Sequence, residues 1–178
     1  MHIIAGALKG QSIQYPKDRS FRPTKAVVRE AVFSSLSNAI SGTRFLDLCS
    51  GSGAMGFEAL SRGAAQVICV DQNVHYLKQN AKKLQVNVQI IRSNILSFLS
   101  KTSDSYGVIY LDPVWADVSV YNQAIDCIID RQLVLPGGYL FVEHDATFEC
   151  SINVPGVVFK HYKYGNTRLT RYWFKQGC

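Results

Sequence analysis

The chain of 178 residues has no long apolar run, no low-complexity segment and no internal repeat. No stretch approaches the roughly 20 consecutive apolar residues that a membrane-spanning helix needs. The first residues, Met-His-Ile-Ile-Ala-Gly, lack the basic region and the longer apolar region of a secretory signal. The length suits one domain with a substantial core. We therefore expect a single-domain cytoplasmic protein that has no membrane partner.

Cysteine is scarce, and its positions form no recognisable motif. The five cysteines are odd in number and contain no C-x-x-C pair: Cys49, Cys69, Cys127, Cys150 and Cys178. This scatter argues against a disulfide framework and against a structural zinc site. The four histidines have no visible partner for a catalytic triad or a metal site: His2, His75, His144 and His161. We predict reduced cysteines and no metal.

Acidic residues are missing from the C-terminal end of the chain. Residues 156–178 contain five Lys and Arg residues and no acid, and residues 1–30 contain six against two acids. Residues 31–155 contain eight basic and eleven acidic residues, so the net charge of +6 arises at the two ends. If both ends fold onto one side, they would form a surface for the phosphates of RNA or DNA. Charge alone leaves open that these are ordinary solvated side chains.

Short apolar runs alternate with amphipathic stretches along most of the chain. The apolar runs have strand length and lie at residues 44–48, 66–70, 88–92, 106–111 and 138–143. The stretches between them have helical length and lie at about residues 54–62, 73–84, 94–101 and 118–131. This alternation predicts a doubly wound α/β domain, in which helices cover both faces of a parallel sheet.

Two further segments flank this α/β pattern. A helix is predicted to start at Pro23-Thr24 and to stop at Gly42, with one apolar residue every four positions: Val28, Val32, Leu36 and Ile40. Near the other end, segments 157–162 and 167–174 surround Tyr164-Gly-Asn166, which indicates an antiparallel hairpin at the sheet edge. We therefore divide the single domain of residues 1–178 into an N-terminal extension made of a hairpin and a helix, 1–42, and an α/β core, 43–178.

A glycine-rich stretch, LDLCSGSGAMG at residues 46–56, follows the first predicted strand. Its spacing, Gly51-x-Gly53-x-x-Gly56, is typical of a turn whose backbone approaches a ligand at a helix N-terminus. Asp71 ends the second predicted strand, 20 residues after Gly51. A carboxylate at that place can accept hydrogen bonds from both hydroxyls of a ribose. The motif therefore indicates a nucleoside-containing ligand.

Asp47 bears on which nucleoside ligand binds. This carboxylate lies four residues before Gly51, where it would repel a pyrophosphate and attract the ammonium group of S-adenosylmethionine. The sequence therefore favours S-adenosylmethionine over a nicotinamide dinucleotide. A glycine-rich turn with only a structural role remains the alternative.

The stretch Tyr110-Leu-Asp-Pro-Val-Trp115 ends the fourth predicted strand. Methylation of an aryl amine needs acceptors that hold its N–H bonds and orient the nitrogen. Asp112 and the carbonyl of Pro113 are two such acceptors, and Trp115 offers a face on which an extruded base can stack. The stretch is therefore interpreted as a base pocket. The alternative is an Asp-Pro turn followed by a buried tryptophan.

Several blocks of residues, in the same order, resemble a known family. The blocks are Ile3-Ile-Ala-Gly6 with Lys9-Gly10, Arg22-Pro-Thr24 with Arg29-Glu30 and Phe33, DLCSGSGAMGFEALSRGA at 47–64, and Tyr164-Gly-Asn-Thr167 with Leu169 and Tyr172. They resemble the bacterial 16S ribosomal RNA guanine-N2 methyltransferases of the RsmD type, over nearly the whole chain. The resemblance implies a Rossmann-like class I fold with a mostly parallel seven-stranded sheet, a C-terminal antiparallel hairpin and a small N-terminal extension.

The same resemblance implies the chemistry and the site. The cofactor would be S-adenosylmethionine, the product N2-methylguanine, and the substrate ribosomal RNA, which a monomeric enzyme would meet in a partly assembled small subunit. The implied cofactor positions are Asp47, Gly51, Ser52, Gly53, Asp71 and Asn94, and the implied catalytic positions are Asp112, Pro113 and Trp115. We expect the basic ends to contact the RNA through Arg22, Thr24, Lys25, Arg29, Arg168 and Arg171.

One departure from the family leaves alternatives open. The family has a second proline before the aromatic residue, whereas this chain has Val114. Valine relaxes the local backbone, although the acid, the first proline and an aromatic residue are kept. We therefore expect an active enzyme. The alternatives are a methyltransferase acting on another RNA or on DNA adenine, a catalytically impaired RNA-binding homologue, and a nicotinamide oxidoreductase.

Overall fold

The computed structural model describes residues 1–17, 23–113, 118–149, 152 and 154–176. Within these residues the strands form one seven-stranded sheet in the order β3-β2-β1-β4-β5-β7-β6. The strands are β1 Arg44–Leu48, β2 Gln66–Asp71, β3 Gln89–Arg92, β4 Tyr106–Leu111, β5 Val134–His144, β6 Val157–Tyr164 and β7 Thr167–Phe174. Strands β1 to β5 are parallel, and β7 runs antiparallel to β5 and β6. The predicted fold class is therefore confirmed, including the C-terminal hairpin.

Helices cover both faces of the sheet. They are α1 Ala26–Leu36, α2 Ala54–Ser61, α3 His75–Leu84, α4 Ile95–Leu99 and α5 Val118–Asp130. Alternate strand residues face opposite layers, so Phe45 packs with residues of α1 to α3 whereas Leu46 packs with residues of α4 and α5. Among the described residues, none of the helices combines the length and the apolar character that a membrane crossing requires.

Helix α1 differs from the prediction at both ends. It begins at Ala26 rather than at Pro23-Thr24. It ends at Leu36, because Ser37 adopts φ 48°, which cannot continue a right-handed helix. A 3-10 turn then carries Ile40 into the core. The spacing of the apolar residues correctly predicted which side chains are buried. It could not predict that the α-helix gives way to a 3-10 helix after Leu36.

Strand β5 begins earlier than predicted, at Val134. Val134 pairs with Tyr106, and the register between β4 and β5 shifts between Tyr106 and Val108. At Gly138, a Cβ atom would lie 2.7 Å from the carbonyl oxygen of Gly107. The Pro-Gly-Gly sequence here is typical of a turn, so the predicted strand start at residue 138 was wrong. A bulge accommodates these residues within the strand instead.

The N-terminal segment is held against α2 by a buried carboxylate. Glu58 is fully buried, and its carboxylate accepts hydrogen bonds from the Ile4 amide at 2.8 Å and the Ala5 amide at 3.0 Å. Arg62 donates to the same carboxylate at 2.8 Å. Residues 1–3 pair with residues 10–13 through backbone hydrogen bonds, and the charged acceptor, which three donors share, joins this hairpin-like segment to α2. The division of the chain at residue 42 stays a prediction.

Replacing Glu58 with alanine should lower the free energy of unfolding by about 3 kcal/mol, because buried donors would lose a charged acceptor. Urea denaturation measures the change. Glu30→Ala is the matched control, since Glu30 is exposed on α1 and its removal should cost less than about 0.5 kcal/mol. Equal losses in the two variants would contradict this explanation of how the N-terminal segment is held.

Candidate active site

The carboxyl ends of the parallel strands meet along one edge of the sheet, which we call the carboxyl edge. The glycine-rich loop follows β1, Asp71 ends β2, and Asn94 follows β3. Asp112 follows β4, which pairs with β1. The structure thus brings the described cofactor and catalytic candidates to the same edge. In open α/β sheets this edge is where ligands bind.

The glycine-rich loop turns through left-handed backbone conformations. Cys49, Gly51 and Gly53 have φ values of 64°, 53° and 85°. Asp71 fastens the loop from the neighbouring strand, because its Oδ2 accepts a hydrogen bond from the Gly51 amide at 2.8 Å. Its Oδ1 accepts from the Asn73 amide at 2.8 Å. Each carboxylate oxygen keeps a further lone pair, so Asp71 can shape the loop and still accept from a ligand.

The other two motif glycines allow close packing. At Gly53, a Cβ atom would lie 2.4 Å from both Leu77 and Phe57, and at Gly56 it would lie 2.5 Å from the Cys69 sulfur. Real Cβ contacts are not this short, so a side chain at Gly56 would push α2 away from β2, and one at Gly53 would displace the side chains of Leu77 and Phe57. These glycines therefore set the position of the helix whose N-terminus faces the loop.

Asp47 lies beneath the loop rather than on its surface. The side chain is 2% exposed, and its Oδ2 accepts a hydrogen bond from the Gly56 amide at 2.9 Å. Burial raises the pKa of this carboxyl to about 7. Asp47 therefore contacts the first turn of α2 rather than the outer surface of the loop. It can influence a ligand above the loop by holding the loop in shape or by the charge of its carboxylate.

Two side-chain amides support the neighbouring segments. Asn94 caps α4, and its Oδ1 accepts from the Leu96 amide at 2.9 Å. Asn80 is buried in α3 and donates to the carbonyl of Ser52, at 2.9 Å, and to that of Gln14, at 2.7 Å. It thereby joins the loop to the N-terminal segment. Sequence reasoning missed Asn80, because an amide within an amphipathic helix carries no distinguishing pattern.

The catalytic candidates are only partly described. Asp112 is partly exposed, and its amide donates to the Leu48 carbonyl at 3.3 Å, which holds it beside the loop. The carbonyl of Pro113 accepts a hydrogen bond from the Tyr121 hydroxyl at 3.1 Å. Val114 and Trp115 lie outside the described residues, so the stacking role of Trp115 stays a prediction. Sequence reasoning missed Tyr121.

The electrostatics of this edge are negative. Cys49 lies among the carboxylates, and its pKa is raised first by burial and then by the charges of Asp112, Asp71 and Asp47. Three acids around one loop suit a ligand with a sulfonium and an ammonium group, whereas they oppose a pyrophosphate. The donor set therefore fits S-adenosylmethionine. Among the described residues, no cluster of three His, Cys, Asp or Glu side chains could hold a metal ion.

The two basic ends of the chain meet at the carboxyl edge. The Lys25 ammonium donates to the carbonyl of Tyr164 in the hairpin turn at 3.4 Å, and the partly exposed Thr24 precedes it. Beside this turn is an open cavity of about 380 Å³, whose lining includes Lys163 and Arg168. Cations from both ends are thus gathered on one side of the acidic loop.

The remaining RNA-contact candidates lie elsewhere. Arg29 is 3% exposed and donates to the His2 carbonyl at 3.1 Å. The prediction that Arg29 contacts RNA from the surface was wrong, because its side chain points from α1 into the interior. Arg171 is partly exposed in β7 and lies over the Tyr139 ring at 5.9 Å. Arg22 lies outside the described residues.

The sheet order and the glycine-rich loop define a class, the Rossmann-like methyltransferases, whose cofactor is S-adenosylmethionine. Solved structures agree. The chain is similar to a putative methyltransferase, yhhF, from Escherichia coli, with 25% identity and a TM-score of 0.88 over 99% of both chains. It is also similar to a putative methylase, HI0767, from Haemophilus influenzae, with 25% identity and a TM-score of 0.80 over 98% of both chains.

The family described as "Conserved hypothetical protein 95" matches residues 1–173, and the chain belongs to this family. One relative is "Ribosomal RNA small subunit methyltransferase D" of Buchnera aphidicola, which is 33% identical over 82% of this chain and 78% of its own length. Another is "Putative rRNA methyltransferase YlbH" of Bacillus subtilis, 32% identical over 97% of this chain and 98% of its own length. These findings confirm the RsmD-type family that the sequence resembles.

The raised pKa of Asp47 predicts how stability depends on pH. The folded state raises this pKa from 3.8 to about 7, so it binds the proton more tightly than the unfolded chain does. As the pH rises from about 4 to about 7, the Asp47 contribution should lower wild-type stability, by an amount on the order of a few kcal/mol. Asp47→Asn cannot ionise and keeps an acceptor for the Gly56 amide, so its stability relative to wild type should increase across this window.

Urea denaturation at about pH 4 and about pH 8 tests this difference. Asp126→Asn is the control, because Asp126 is exposed on α5. A difference between Asp47→Asn and wild type that stays constant with pH would mean that Asp47 carries no buried charge.

Proposed function

We propose that this protein transfers a methyl group from S-adenosylmethionine to the exocyclic N2 amine of a guanine in small-subunit (16S) ribosomal RNA. The observation that carries the proposal is the position of Asp112 and Pro113, two acceptors held beside the glycine-rich loop by the contact between Asp112 and Leu48. The names of the relatives support ribosomal RNA as the substrate. A partly assembled small subunit is the proposed form in which the RNA is met.

The chemistry follows from how this chain holds the amine. The bound cofactor supplies an electrophilic methyl group on a sulfonium. The lone pair of a guanine amine is delocalised into the ring, so it attacks well only when its N–H bonds are gripped and its geometry is set. The Asp112 carboxylate and the Pro113 carbonyl accept those N–H bonds. The carboxylate also stabilises the positive charge that develops on nitrogen during transfer.

The cofactor would be held by the loop and by three strand ends. Asp71 would accept from the ribose hydroxyls, and Asn94, which follows β3, would be a further cofactor position. Gly51 and Ser52 provide backbone against the cofactor. Asp47 maintains the loop from beneath, and with its pKa raised to about 7 it adds negative charge as the pH rises through that value. The left-handed turns in the loop and the fastening of Gly51 by Asp71 support this assignment.

The RNA would lie across the basic side of the carboxyl edge. It would begin at the hairpin turn, where Lys25 contacts Tyr164 and where Lys163 and Arg168 line the neighbouring cavity, with Thr24 next to Lys25 in the chain. From there the strand would continue over the outward face of the C-terminal hairpin, where Arg171 is flanked by other cations and aromatic rings. In the register of that face, Arg171 lies next to Lys160, and Trp173 lies next to Val158 and Tyr139. Alternating cations and aromatic rings suit phosphates and unstacked bases.

Replacing Asp112 tests the reaction assignment. Asp112→Ala should lower the single-turnover rate by about 10²–10³, because an electrostatic partner of the transition state is lost. S-adenosylmethionine should still bind, as calorimetry would report. Asp112→Asn should be milder, since its amide oxygen still accepts from the amine. The assay uses labelled methyl donor and ribosomal RNA from a strain that lacks the gene, followed by mapping of the methylated base.

The same assay separates the competing functions. Methylation of DNA adenine, or of another RNA in preference to ribosomal RNA, would replace the proposed substrate. RNA binding without transfer by the wild-type protein would indicate a catalytically impaired homologue. A wild-type rate in Asp112→Ala would require another reactive site.

Neutralising cations of the hairpin should weaken RNA binding and its salt dependence. For each variant we plot the logarithm of the RNA-binding constant against the logarithm of the salt concentration. The slope of this plot should become shallower by roughly 0.7–0.9 for each phosphate contact that is lost in Lys160→Ala, Arg168→Ala or Arg171→Ala. Lys82→Ala is the control, because Lys82 is exposed on α3 at the far end of the sheet. Fluorescence titration over a range of salt concentrations gives the slopes. Unchanged slopes in all three hairpin variants would exclude this RNA path.

A further inference from the structure

A buried tyrosine joins the ends of two neighbouring strands beneath the reactive groups. Tyr121, in α5, is 1% exposed. Its hydroxyl lies 3.1 Å from the carbonyl oxygen of Pro113, which follows β4, and 3.0 Å from the carbonyl oxygen of Glu143, near the end of β5. A hydroxyl has one proton, so the two carbonyls share a single donor.

The surroundings of Tyr121 keep this donor in place. Its ring stacks on Phe148 with centroids 4.5 Å apart and an interplanar angle of 28°. Burial, and then the negative charge of Asp112, raise the pKa of the Tyr121 phenol far above its usual range. The hydroxyl therefore remains protonated, and it can act only on the two carbonyls within its reach.

The local sequence leaves a degree of freedom that this hydrogen bond removes. The ring of Pro113 fixes its φ angle, but the direction of its carbonyl depends on ψ. A proline at the next position would restrict that ψ angle, whereas this chain has Val114. The orientation of the Pro113 carbonyl must then be set by another part of the fold. The hydrogen bond from the Tyr121 hydroxyl does this.

We infer that Tyr121 is a positioning residue for methyl transfer, an inference that rests on the proposed function. Its hydroxyl occupies one lone pair of the Pro113 carbonyl and holds the peptide plane, so that the second lone pair receives an N–H bond of the guanine amine. Tyr121 does not touch the amine. It holds the Pro113 carbonyl in place, and the carbonyl in turn orients the amine nitrogen that attacks the methyl group.

Tyr121→Phe removes the hydroxyl and keeps the ring. Tyr106→Phe is the matched control, because Tyr106 is also 1% exposed and its hydroxyl bonds to Thr102 at 3.1 Å, at the amino end of β4 and away from the site. In single-turnover assays at saturating cofactor and RNA, Tyr121→Phe should lower the transfer rate by about 10- to 100-fold. Tyr106→Phe should keep the wild-type rate. Both variants should bind cofactor and RNA as the wild type does.

The outcomes distinguish the inference from the proposed function. If the wild type transfers methyl groups and Tyr121→Phe matches its single-turnover rate, Tyr121 has no positioning role. Equal losses of rate in both variants, or weaker cofactor binding in Tyr121→Phe, would assign the effect to general stability and also overturn the inference. If the wild type methylates no nucleic acid, the proposed function fails first, and the inference fails with it.

Discussion

The Asp47 carboxyl accepts a hydrogen bond from the Gly56 amide, and this contact joins the end of β1 to the first turn of α2. Because Gly56 has no side chain, the helix packs close to Cys69 on β2. From the neighbouring strand, Asp71 fastens the Gly51 amide. The two carboxyls thus hold the loop from the neighbouring strand and the helix that follows it from beneath. The surface that faces the cofactor therefore depends on one buried acid and one partly exposed acid.

The same loop and helix also hold the N-terminal segment. Asn80 joins the carbonyl of Ser52 in the loop to the backbone of Gln14, and Glu58 in α2 binds the amides of Ile4 and its neighbour. Because these contacts are buried and charged or bidentate, they fix the path of the first 14 residues. Lys25, just before α1, contacts the hairpin turn beside the site.

The reactive groups are assembled from strands that are distant in sequence. Asp112 lies beside the loop because β4 pairs with β1, and Tyr121 reaches Pro113 because α5 returns across the sheet. Lys25 meets Tyr164 because β7 inserts between β5 and β6 and turns the hairpin toward the carboxyl edge. The order of the strands thus places the acidic loop and the cations of the hairpin turn at one edge of the sheet.

The alternation of apolar runs with amphipathic stretches determined the class of fold, because parallel strands need helical crossovers, whereas the order of the strands in the sheet was decided by the tertiary structure. The alternation also determined that Asp71 and Asp112 share an edge, since all carboxyl ends of a parallel sheet lie together. Only the tertiary structure decided that Arg29 is interior and Asp47 lies beneath the loop, because burial depends on which elements pack there. The hydrogen bond from Tyr121 to Pro113 likewise joins separate elements, and no local pattern of residues contains it.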